Sequence, residues 1–149
     1  AAYDENLAVI YMDTLLQESD VITLHLASNE STYHIINRDS IERMKDGVII
    51  VNTSRGTLID TNDLIAGLKS RKIGGAGLDV MEDEKDLYYA NRMGDVIDND
   101  GMSILRSYPN VILTPHTAFY TETTVRNMIE KGVKAVWAYE NGEDNPYEV

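Results

Sequence analysis

Four short apolar runs punctuate the chain: "VITLHL" at 21–26, "VIIVN" at 48–52, "AGLDV" at 76–80 and "VILT" at 111–114. Three of them are nearly continuous in apolar residues, the pattern of a parallel strand covered on both faces. "AAY" at 1–3 reads as the tail of a fifth strand. Between the runs the period becomes helical. "DSIERMKDG" (39–47) offers Asp39 as N-cap with Glu42 three residues on, a capping-box spacing, and Gly47 as a stop. "TNDLIAGLKS" (61–70) opens on Thr61 as a cap, has Asp63 in its first turn, and sets Leu64, Ile65 and Leu68 on one face. The last and longest helical pattern carries Val125, Met128, Ile129, Val133, Val136 and Trp137, a stripe read as core, and ends at Asn141-Gly142.

Alternation of strands and helices predicts an α/β fold with a parallel sheet and right-handed crossovers. Residues 81–110 break the rhythm with a long, acidic, polar stretch, in which "GMSILRSY" (101–108) reads as a short helix. A loop of that length inside a compact domain is more often functional than idle.

Composition narrows the function classes. With 149 residues, 43% of them hydrophobic and 26% charged, the chain has the make-up of one soluble globular domain with a proper core. A formal net charge of −12 repels phosphate backbones and anionic lipids, which argues against nucleic acid and membrane partners. No apolar run approaches the roughly 18 residues of a membrane-spanning helix, and the opening lacks the pattern of a signal peptide. The absence of cysteine excludes disulfides, thiol catalysis and cysteine metal sites, and fits the cytoplasm. The start "AAYDEN", without an initiator methionine, reads as a beginning partway through a larger fold.

In an open α/β sheet, ligands bind outside the carboxyl ends of the strands. The residues there are His25, Leu26 and Ala27; then Thr53, Ser54, Arg55 and Gly56; then Asp79 with Glu82, Asp83 and Glu84; then Pro115, His116 and Thr117. Each has an ordinary explanation: surface arginines are usually solvated, a lone histidine usually packs, and acidic clusters usually face water. Together they describe a chemistry. A guanidinium fork matches the two oxygens of a carboxylate. A histidine held by a carboxylate serves as a general acid near neutral pH. Arginine for an anion, histidine for a proton and glutamate for the histidine suit reduction of a carbonyl next to a carboxylate.

These residues, within "VNTSRGTLIDTNDLIAGLKSRKIGGAGLDVMEDE" and "NVILTPHTAFYT", resemble the D-isomer-specific 2-hydroxyacid dehydrogenases, in particular the D-lactate and D-2-hydroxyisocaproate dehydrogenase branch. The resemblance runs from "YD" at 3–4 into the last helix. It implies a Rossmann-like, doubly wound parallel sheet in which residues 1–149 form the C-terminal portion of an NAD-binding domain. The family's roles fall on Arg55, which would grip the substrate's carboxylate and carbonyl, on His116 as acid–base, and on Glu84 as its partner. Glu84 stands where the formate dehydrogenase branch carries glutamine. Asp79 would hold the nicotinamide carboxamide, and Thr53 and Ser54 would line NAD. Asp4 falls where the acid for the ribose hydroxyls is expected, and Leu26, Ala27 and Thr32 would cover the adenosine side. Phe119 and Tyr120 would wall the substrate or nicotinamide pocket.

The implied activity is NAD-dependent reduction of a 2-oxo acid, pyruvate or larger, to the D-2-hydroxy acid by a cytoplasmic homodimer. The competing class is a binding or scaffold protein that keeps the fold without turnover. The chain departs from the family pattern in having no G-x-G-x-x-G, so the first strand and phosphate loop are not in it, nor is the substrate domain. Ala27 also stands where proline is common. On this reading these residues alone are inactive, since both walls of the cleft are needed.

Overall fold

The structure is a computed structural model that describes residues 11–88, 91, 93–95, 98–145 and 147. It divides after His116 into two compact units. The first is built on four parallel strands, β1 (Val21–Leu24), β2 (Val48–Asn52), β3 (Ile73–Leu78) and β4 (Val111–Leu113), in the order β1-β2-β3-β4. Ile22 lies beside Ile50, Ile50 beside Ala76, and Ala76 beside Val111, so one row of apolar side chains crosses the sheet.

Helices α1 (Met12–Glu18), α2 (Arg38–Arg43), α3 (Thr61–Lys69) and α5 (Asp100–Ser107) join that row in a single core. Leu16, Ile36, Ile50, Leu58, Ile73 and Leu105 are completely buried there. Each such side chain contributes about 1.5–3 kcal/mol by leaving water. The opposite face of the sheet exposes Val21, Ile49 and Ile112. Strand order supplies the reason. Consecutive strands are neighbours, so successive right-handed crossovers place their helices on the same side. Covering the second face takes a reversal of strand order, which these four strands do not contain. The apolar runs therefore look two-sided in sequence but are buried on one side here.

Several boundaries move. Helix α2 is capped by Asn37, not Asp39: the Asn37 side chain accepts from the Ser40 N–H while Ser40 returns the bond to the Asn37 N–H. It ends at Met44, and Gly47 instead makes the turn into β2 at φ 82°. Asp60 rather than Thr61 caps α3, accepting from the Asp63 N–H at 3.0 Å. In both cases the residue one or two places upstream has the extended backbone that a cap needs. Strand β3 begins earlier than expected, at Ile73, and leaves Asp79 just past its end. Among its described residues the acidic stretch holds two helices, α4 (Lys85–Tyr88) and α5, the latter capped by Asn99. A seven-residue α1 occupies the short segment ahead of β1. The "AAY" strand lies outside the described residues.

The second unit is dominated by α6 (Glu122–Glu140), capped by Thr121. Its apolar stripe is a correction: Met128, Ile129, Val133, Val136 and Trp137 are all more than half exposed, and only Ala138 is buried. Helical spacing shows that a face is apolar, not what covers it.

Candidate active site

Parallel strands bring every β-to-α loop to one edge, and the loop after β2 is shaped there by its last residue. Asn52 is buried; its Oδ1 accepts from the Ser54 N–H at 3.0 Å and its Nδ2 donates to the Arg55 carbonyl at 2.9 Å. This Asx turn folds the loop back at once. Ser54 Oγ donates to the Leu26 carbonyl at 2.5 Å, joining the loops after β1 and β2. Thr53 and Arg55 are exposed. The Arg55 guanidinium donates to the Ser54 carbonyl at 2.7 Å and has no carboxylate partner among the described residues. In a chain of net charge −12, a guanidinium that meets no carboxylate among the described residues is notable as a seat for an external anion.

Beyond Arg55 the chain runs against the next loop. A methyl group built on Gly56 would stand 2.0 Å from the Met81 carbonyl carbon and 2.5 Å from the Glu82 nitrogen. Only a residue without a side chain permits that approach.

The loop after β3 starts at Asp79, which is buried. Its N–H donates to the Asn52 carbonyl at 2.9 Å, and its carboxylate accepts from Thr114 Oγ1 at 2.5 Å. Its carbonyl accepts the N–H of His116 at 2.8 Å. His116 sits at φ 51°, in the left-handed region uncommon outside glycine. Its Nδ1 lies 2.8 Å from Glu84 Oε1, with the two side chains 22% and 15% exposed. The other Glu84 oxygen accepts from the Met81 N–H at 3.1 Å. Because an ionised carboxylate only accepts, the hydrogen between them belongs to Nδ1. Proton exchange with a ligand then runs through Nε2. Nearby, burial pushes the Tyr88 phenol above its ordinary 10.0; Arg106 opposes the shift, and the Glu84 and Asp79 carboxylates add to it.

The structure thus joins Glu84 to His116 and Asp79 to the backbone of His116, and it places Arg55 on the same edge through the Gly56–Met81 approach. Leu26 and Ala27 lie exposed at the crest after β1. Thr32 spends its hydroxyl on that loop, donating to the Ala27 carbonyl at 2.7 Å and accepting the Asn29 N–H at 2.9 Å. Phe119 and Tyr120 are exposed in the second unit, their rings edge-on at 6.1 Å. Asp4 lies outside the described residues. Sequence reasoning missed two features. Asn52 as the organiser of the Arg55 loop was detectable, since an asparagine two residues before a serine at a strand end is an Asx-turn signal. A pairing of His34 with Glu82, 48 residues away, had no local signal.

The family model described as "D-isomer specific 2-hydroxyacid dehydrogenase, NAD binding domain" matches residues 1–118. The chain belongs to this family. A D-specific alpha-keto acid dehydrogenase of Enterococcus faecium is 44% identical over 133 residues, which cover 89% of this chain and 41% of that protein. An aromatic 2-oxoacid reductase of Clostridium sporogenes is 47% identical over 119 residues, covering 80% of this chain and 36% of the relative. The crystal structure of D-lactate dehydrogenase with NAD+ from Lactobacillus jensenii superposes with a TM-score of 0.86 at 37% identity, over 94% of this chain and 42% of that one. The chain therefore spans about two fifths of the length of these relatives. The Rossmann-like α/β fold and the NAD-binding character of the domain stand on this footing. The buried Asp79 carboxyl and the exposed Thr53 stand at the carboxyl edge of the sheet, where an open α/β fold binds its ligand. No helix among the described residues is long and apolar enough to cross a membrane.

Proposed function

We propose that the protein to which this domain belongs reduces a 2-oxo acid, pyruvate or a larger homologue, to the D-2-hydroxy acid with NADH. The observation that carries the reading is the Glu84–His116 pair at 2.8 Å, on the same sheet edge as an arginine that has no carboxylate partner among the described residues. Arg55 binds the substrate carboxylate through two parallel N–H bonds. NADH, when bound, would supply the hydride that the carbonyl carbon accepts. His116 gives the proton at Nε2 to the carbonyl oxygen, and Glu84 holds Nδ1 and stabilises the imidazolium before transfer. Run backwards, His116 takes the hydroxyl proton. Asp79, Thr53, Ser54, Leu26, Ala27 and Thr32 form the cofactor side of the cleft in this reading, and the ribose hydroxyls are assigned to Asp4, outside the described residues. The intact protein is read as a cytoplasmic homodimer, a state that light scattering of the full-length protein checks.

Steady-state kinetics of the intact protein test the assignment. Arg55→Lys keeps the charge but loses the planar fork, so kcat/KM for the 2-oxo acid is expected to fall about a hundredfold. An unchanged value overturns the role of Arg55, and an intact protein that oxidises no NADH with any 2-oxo acid overturns the reading as a whole.

A further inference from the structure

A second histidine–carboxylate pair stands beside the first. His34 lies in the loop after β1 at φ 48°. Its Nε2 is 2.6 Å from Glu82 Oε1, and its Nδ1 faces the Asp60 carboxylate at 3.4 Å. The Tyr33 ring stacks on the imidazole at 3.9 Å. The other Glu82 oxygen accepts twice from Thr61, from its N–H at 3.0 Å and from its hydroxyl at 2.7 Å. The loop after β1 and the first residue of α3 therefore converge on one carboxylate of the loop after β3, and both of its oxygens are used. His34 and Glu82 are each 23% exposed, so this is not a solvated surface pair.

What the pair holds matters more than what it adds to stability. Glu82 is two residues before Glu84, and Asp83 between them adopts the left-handed backbone at φ 57°. The turn is short, and the direction in which Glu84 leaves it follows from how residues 81–83 are seated. Gly56 supports the Met81 and Glu82 backbone from one side. The grip of His34 and Thr61 on the Glu82 side chain fixes it from another. We propose that His34 and Glu82 are positioning residues for proton transfer: they set the 81–84 turn so that Glu84 meets His116. The same grip ties the loop carrying Leu26, Ala27 and Thr32 to the acid–base pair. The inference rests on the reading of Glu84 and His116 as that pair.

The test uses the intact protein with Glu82→Gln, His34→Ala and His34→Gln. Glutamine at 82 keeps the size but turns one acceptor oxygen into an amide, so His34 or Thr61 loses its acceptor. Alanine and glutamine at 34 bear the same left-handed backbone, and only glutamine retains a donor toward Glu82. E82Q and H34A are expected to lower kcat about tenfold, because a small misplacement of a catalytic partner is costly. KM for the 2-oxo acid should stay within about twofold, since Arg55 is untouched. Both variants should shift the nitrogen-15 NMR signal of His116 Nδ1, assigned by its loss in H116Q, and H34Q should recover most of kcat. The proposal is overturned by an unmoved His116 signal with unchanged kcat, by a lowered melting temperature without either change, or by H34Q behaving like H34A. The NMR signal needs no turnover. An intact protein that reduces no 2-oxo acid would overturn the catalytic reading and still report whether Glu82 positions Glu84 against His116.

Discussion

The backbone of Met81 lies against the Cα of Gly56, so close that any β-carbon at residue 56 would stand 2.0 Å from the Met81 carbonyl carbon. Through this contact the loop that carries Arg55 and the loop that carries Glu84 pack backbone against backbone. The atoms in the way are backbone, which cannot rotate aside as a side chain can.

Gly56→Ala is therefore expected to destabilise the intact protein by about 3 kcal/mol, the upper end of ordinary overpacking. Urea denaturation measures it as a lower midpoint at unchanged slope. Equal midpoints would show that the two loops separate at little cost, and that the coupling between the Arg55 and Glu84 loops is loose.

Asn52→Ala removes both bonds of the Asx turn, leaving the Ser54 N–H and the Arg55 carbonyl without the partner they have now. The expected cost is about 2 kcal/mol. Because the lost bonds shape the arginine loop and not the Glu84 turn, KM for the 2-oxo acid should rise more than kcat falls. Initial-rate measurements at saturating NADH separate the two, and a fall in kcat alone would contradict this division of labour.

Tyr88 links stability to alkaline pH. Its folded-state pKa is raised, mainly by burial, so the folded protein holds the phenolic proton more tightly than the unfolded chain does. That contribution is fully present below the ordinary value of 10.0 and is lost as pH rises from there through the folded-state pKa. Tyr88→Phe has no proton to lose. Denaturation midpoints at pH 8 and pH 11, on the order of one unit or more to either side of the ordinary tyrosine value, should fall less in the variant than in the wild type. Parallel losses would remove Tyr88 from the alkaline transition.

Some of this molecule is local and is readable from the chain. Apolar runs bounded by turn residues placed four parallel strands, because strand formation here follows a short-range pattern of burial. Parallel pairing then sends all the β-to-α loops to one edge, and so Arg55, Asp79, Glu84 and His116 could be grouped without coordinates. The motifs around them carried enough specificity for the family, which the comparison with known proteins bears out. Helix starts were less legible: Asp39 and Thr61 have capping side chains, but the cap goes to the residue whose backbone is extended, Asn37 or Asp60.

Other properties belong only to the folded state. The stripe of α6 is apolar in sequence and exposed in the structure, since periodicity specifies a face and tertiary contact specifies its cover. The same holds for the sheet, whose continuous apolar strands are buried on one side because the order of the four described strands does not reverse. The grip of His34 on Glu82 and the close approach of Gly56 to Met81 join residues far apart in the chain. Hydrogen bonds and steric contacts act over a few ångströms in space with no regard for chain distance. The sequence by itself therefore determined the fold class, the family and the candidates for the chemistry, and tertiary structure decided which of those candidates hold one another in place.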